Sequence, residues 1–77
     1  MELSKDGFVF SYNLDPYRRT KYLTKAGDKI EWKRNGMRGG VKSVVVGFSE
    51  NKPDFVLVQV GDIKRWIKKN SVLRVFA

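Results

Sequence analysis

Gly27-Asp28-Lys29-Ile30-Glu31-Trp32-Lys33-Arg34-Asn35-Gly36-Met37-Arg38-Gly39-Gly40-Val41-Lys42-Ser43-Val44 is the stretch on which the fold turns. Ile30 and Trp32 alternate with Lys29, Glu31 and Lys33. That period of two belongs to a strand with one buried face, and it puts Trp32 in the core beside Ile30. Asn35 and Gly36 both tolerate positive φ and predict a tight turn. Gly39 and Gly40 add a second permissive point, so residues 35–40 form a glycine-rich loop. Residues 41–48 return as a Val-rich strand. Its apolar positions, Val41, Val44, Val45, Val46 and Phe48, do not alternate cleanly, which predicts a bulge or strong curvature.

Toward the C-terminus the β pattern repeats. Asn51 and Pro53 mark a loop over residues 49–54, and Phe-Val-Leu-Val-Gln-Val at 55–60 reads as a strand. Gly61-Asp62 is a two-residue hairpin connection of the Gly-X kind. In the next strand, residues 63–67, Ile63, Arg65 and Ile67 share one face, and Lys64 and Trp66 the other. Residues 68–71 are a polar break with room for one 3-10 turn, and residues 72–76 form a fifth strand.

Toward the N-terminus the signal weakens. Residues 1–7 are polar and expected to be loose. Phe8-Val9-Phe10-Ser11-Tyr12 predicts a short strand, which Asp15-Pro16 breaks. Asp15 is suited to cap one helical turn with Pro16 at its first position. Residues 16–26 carry Pro16, Thr20, Thr24 and several basic side chains without an apolar stripe, so no long helix is expected. Five short strands with short connections predict an all-β chain, a small barrel or curled sheet over residues 25–77. Residues 1–24 precede it as an extension of one strand and a turn.

Seventy-seven residues make one small domain with a thin core. The chain has no Cys and no His, which closes the disulfide and ordinary zinc routes to stability. The apolar 42% of the chain must therefore supply the core, through a barrel that closes its own edges or through a small homo-oligomer. No run approaches the roughly 20 apolar residues of a membrane span, and the N-terminus is not built like a signal peptide. A cytoplasmic protein is expected.

Charge is segregated. The net charge of +8 comes from two blocks: residues 17–42 hold nine basic side chains against Asp28 and Glu31, and residues 63–77 hold five and no acid. The remaining segments, 1–16 and 43–62, are each net −2. A surface charged only for solubility mixes the signs, whereas segregation is the footprint of a polyanion partner.

The stretch from Gly27 to Val44 resembles a KOW element: Gly-Asp, an apolar residue two positions on, basic residues, a Gly-rich turn, then Gly-x-Val. Residues 25–77 are similar to the KOW and SH3-like barrels of ribosomal and transcription-elongation proteins. They are closer still to a family of short, uncharacterised bacterial KOW-type proteins, whose final strand is introduced as Asn70-Ser71-Val72 introduces it here. The resemblance implies a five-stranded SH3-like barrel with an N-terminal extension. The plasmid type II dihydrofolate reductases share the chain length, a Phe-Val-Phe stretch like Phe8-Val9-Phe10, and a Gly-Asp like Gly27-Asp28. Their pore-lining Val-Gln-Ile-Tyr motif is missing, and Ile63-Lys64-Arg65-Trp66-Ile67 stands there instead. That likeness implies a shared fold and not the activity.

No catalytic constellation stands out. Without His or Cys there is no His-based triad and no thiol nucleophile, and the glycine-rich loop lacks the Gly-Lys-Ser/Thr ending of a phosphate loop. No enzyme, cofactor or metal is expected. Two basic clusters are the candidate nucleic-acid-binding residues. Lys33, Arg34, Arg38 and Lys42 flank the 35–40 loop, where backbone and guanidinium groups can approach a phosphate. Lys64, Arg65, Trp66, Lys68 and Lys69 interleave cations with an indole, which suits phosphates and a stacked base. An inward Trp66 would carry Lys64 and Lys68 inward with it, so an exposed or edge indole is expected. The expected partner is RNA or DNA, held by its backbone with little sequence readout. An acidic protein of the transcription or translation machinery, docked by an SH3-like adaptor, is the alternative.

Overall fold

A computed structural model describes residues 3–76. Strand β3 (Lys29–Trp32) keeps the expected alternation, with Ile30 and Trp32 buried and Lys29 exposed. It pairs antiparallel with β4 (Val41–Gly47), which pairs in turn with β5 (Phe55–Val60). The β4–β5 register slips between Val45 and Gly47, the irregularity foreshadowed by three consecutive valines. Strand β6 (Ile63–Lys68) folds back on β5 across Gly61-Asp62, with Val60 opposite Ile63. Gly61 takes φ 60°, a conformation that a side chain would resist. A 3-10 turn, Lys69–Ser71, then delivers β7 (Val72–Phe76) to the free edge of β3. The chain is all-β, and this five-stranded sheet has the order β6-β5-β4-β3-β7. Its edge strands β6 and β7 are not joined to each other by a ladder among the described residues.

The N-terminal segment differs from expectation. Asp6–Ser11 (β1) pairs with a strand not foreseen, Thr20–Lys25 (β2), in a separate two-stranded sheet. The inward face of β2 carries Thr20, Tyr22 and Thr24, while Leu23 points to solvent at 78% exposure. Polar side chains on the covered face hide the alternation that normally reveals a strand. The expected helical turn is instead an Asx turn: Asp15 Oδ1 accepts a 2.9 Å hydrogen bond from the Tyr17 amide. Asp15 also pairs with Arg18 at 3.3 Å.

The two sheets share one core. Val9 of β1 packs with Ile30, Trp32, Val45, Val56, Val58 and Val75. Burying one such side chain contributes about 1.5–3 kcal/mol, a large share of the stability of so short a chain. Backbone bonds fasten the segment at both ends. Ser4 and Phe48 exchange N–H···O bonds of 2.8 and 2.9 Å, and the Tyr12 amide donates to the Leu73 carbonyl at 2.9 Å. Gly7 passes so close to the Phe48 ring that a Cβ there would lie about 2.5 Å from its carbons.

The loop between β3 and β4 opens with a turn in which the Met37 amide donates to the Arg34 carbonyl at 3.1 Å. Only Gly36 uses positive φ, at 89°, and Asn35 does not. That distribution, with the permissive residue third, follows the type II pattern rather than the twisted hairpin turn expected from Asn-Gly. Among the described residues no helix is long and apolar enough to cross a membrane.

Candidate nucleic-acid interface

The 3-10 turn is the hub around which the basic side chains gather. The Lys33 amide, at the exit of β3, donates to the Ser71 carbonyl at 3.0 Å, and Arg19 Nε donates to the Val72 carbonyl at 3.4 Å. The Lys69 amide donates to the Asp54 carbonyl at 2.9 Å, which fixes the turn to the start of β5. These bonds bring the β1–β2 connection, the loop after β3 and strand β6 to the rim of one cleft of about 760 Å³.

Arg19, Lys33, Arg34, Arg65 and Lys68 line that cleft, and no carboxylate does among the described residues. Phe55 and Trp66, both half-buried, supply aromatic surface, and Asn35, Asn70 and Ser71 supply hydrogen-bonding groups. Lys52 holds its ammonium 5.6 Å from the Trp66 ring and 5.7 Å from that of Phe55, so the aromatic patch carries a further cation at its border. A concave surface with charge of one sign focuses its field and attracts counterions of the opposite sign.

Of the residues singled out from sequence, Lys33, Arg34, Arg65, Trp66 and Lys68 meet in this cleft. Arg38 and Lys42 are exposed but do not line it. Lys42 sits opposite Glu31 in the β3–β4 ladder, with its ammonium 6.0 Å from the Phe76 ring. Lys64 is exposed at the hairpin end of β6 and lies outside the lining. Lys69 requires correction. It is 8% exposed, its ammonium 4.0 Å from the Phe8 ring centre and 5.4 Å from that of Phe48. Burial lowers its pKa below the ordinary lysine value, against the attraction of Asp54 and with the repulsion of Lys21. It is a packed residue of the 3-10 turn rather than part of the basic surface.

Arg19 is the cation of this lining that sequence reasoning did not select. It belongs to the first basic block, but nothing local separates it from Arg18. The fold separates them: Arg18 pairs with Asp15, and Arg19 reaches over the Tyr12 ring at 4.9 Å toward Val72. Trp32 takes the buried place expected of it, 2% exposed, with Nε1 donating to Ser43 Oγ at 2.6 Å.

A second cavity of about 450 Å³ continues from the first, sharing Trp32, Arg34, Asn35 and Arg65 with it. Met37, Val41, Val60 and Ile63 make its remaining walls mostly apolar. A third depression lies elsewhere, between Tyr12, Pro16 and Phe76. Among the described residues no group of three or more His, Cys, Asp or Glu side chains could hold a metal ion. Comparison of the chain with protein-family models, curated proteins and solved structures finds no match.

Proposed function

We propose that this protein is a small cytoplasmic nucleic-acid-binding module that holds RNA or DNA by its phosphate backbone and carries out no chemistry on it. One observation carries the proposal: Arg19, Lys33 and Arg34 from one basic block and Arg65 and Lys68 from the other meet, with Trp66, in a single cleft that no carboxylate of the described residues lines. Cations on the rim neutralise phosphates, the Arg forks grip them in bidentate fashion, and the half-buried indole offers a face to a base. Slight sequence readout fits a site made of cations and one indole, with no α-helix among the described residues to enter a major groove. The strand order, the bulged β4 and the 3-10 turn ahead of β7 support the finer fold, a five-stranded SH3-like barrel of KOW kind.

The test is binding of fluorescently labelled RNA and DNA across a salt series. A linear fall of log affinity with log salt is expected, about −0.9 per duplex phosphate or −0.7 per single-stranded one. Arg34→Glu/Arg65→Glu is expected to abolish it. Absence of binding even at low salt excludes the proposal.

The adaptor alternative draws on a different surface. Tyr17 is 94% exposed, and Leu14 and Leu23 are also open to solvent. Apolar groups so exposed favour a protein partner if nucleic acid fails to bind, and Leu14 and Tyr17 flank Pro16, which lines the third depression.

A further inference from the structure

The second cavity makes a specific demand on whatever fills the first. Its walls, Met37, Val41, Val60 and Ile63, are apolar, and Ile63 is 58% exposed at its lip. Among the described residues its only charged lining residues are Arg34 and Arg65, which also line the basic cleft. A chain of phosphates held in the cleft therefore runs past an apolar recess flanked by two guanidinium groups. At about 450 Å³ the recess falls within the roughly 300–1,000 Å³ of small-molecule sites. Guanidinium planes stack on flat heterocycles, and apolar walls favour a group that sheds water easily. A nucleobase attached to that same backbone meets both conditions.

We infer that the recess between the β3–β4 loop and the β5–β6 hairpin is a nucleobase pocket, so that the protein prefers single-stranded nucleic acid with at least one base turned out of the stack. The inference rests on the backbone-binding reading of the adjoining cleft. Arg34 and Arg65 serve both subsites, bonding phosphate on one side and stacking the base on the other. A duplex keeps its bases paired and stacked, and it pays to expose one. The preference for single strands thus comes from the recess, and general polyanion affinity comes from the cleft.

The experiment uses fluorescence anisotropy with the full chain and four labelled probes: oligothymidylate and oligouridylate of about ten residues, an abasic oligomer of the same length, and a matched duplex. The two base-bearing single strands are expected to bind at least about fivefold more tightly than the abasic one, the lower end of what one stacked base supplies. The thymidylate and uridylate arms compare a DNA strand with an RNA strand, with thymine's methyl group adding apolar surface to the former. Ile63→Ser alters the lip of the recess without changing charge, at an exposed position that the fold tolerates. It is expected to weaken the base-bearing probes about fivefold, to leave the abasic probe unaffected, and to keep the salt slope of the unaltered protein. Equal binding of abasic and base-bearing strands, or equal binding of duplex, overturns the nucleobase pocket while leaving backbone binding intact. Failure of all four probes overturns both.

Discussion

Trp32 and Ser43 are joined inside the core by a 2.6 Å hydrogen bond from the indole Nε1 to the serine hydroxyl. The bond crosses from β3 to β4 just behind the loop that carries Arg34, and Trp32 borders both cavities above it. A buried donor left without an acceptor costs about 1–3 kcal/mol, so Ser43→Ala is expected to lose about that much stability in a urea titration. Trp32→Phe/Ser43→Ala removes both polar partners together. It is expected to cost less than the sum of the two single changes. Additive single changes show that the bond contributes nothing.

Asn13 acts as a substitute strand for the outer edge of β7. Its Nδ2 donates to the Val75 carbonyl at 2.8 Å and its Oδ1 accepts from the Val75 amide at 2.7 Å. An unpaired edge invites pairing with another chain, and here a side chain occupies one of its positions. Asn13→Ala is expected to destabilise the fold by about 1–3 kcal/mol and to speed hydrogen exchange at the Val75 amide above all others. Unchanged exchange at Val75 shows that the contact is incidental.

Lys69 ties stability to pH at the alkaline end. Desolvation lowers its pKa below 10.5 in the folded chain, so the unfolded chain holds the proton more tightly. Where the unfolded state binds more protons, stability rises with pH. The gain therefore appears as pH approaches 10.5 from below and is complete above it. Relative to Lys69→Met, which cannot titrate, the unaltered protein is expected to gain stability in that window, measured by urea unfolding between about pH 7 and pH 10. A stability difference that stays constant over that range rules out the coupling.

Arg65 and Lys64 are adjacent on β6, and only Arg65 lines the cleft. Charge-assisted bonds are worth about 1.5–3 kcal/mol, so Arg65→Glu is expected to weaken nucleic-acid binding about tenfold or more. Lys64→Glu makes the same change in net charge one residue away, outside the lining. Screened by salt, it is expected to cost less than about threefold. Equal losses imply that binding follows net charge alone and that the cleft has no special part in it.

Much of this protein is legible in its sequence because strand signals are local. The alternation around Ile30 and Trp32, the glycine at 61 and the valine run at 44–46 each report the backbone they impose, and the five C-terminal strands, the irregular β4 and the 3-10 turn follow from them. The segregated charge is equally local and points to the same two segments that border the cleft. Strand β2 is not legible, because its covered face is built from Thr and Tyr and its apolar Leu23 faces water. Nor can spacing separate the cations. Arg19 from Arg18, Arg65 from Lys64 and Lys69 from Lys68 differ only in which neighbour each side chain meets once distant strands are laid together. Composition and pattern determined an all-β chain with two basic blocks. Tertiary structure decided which charges share a concave surface and which, like Lys69, are spent inside it, because convergence depends on contacts between segments far apart in the chain.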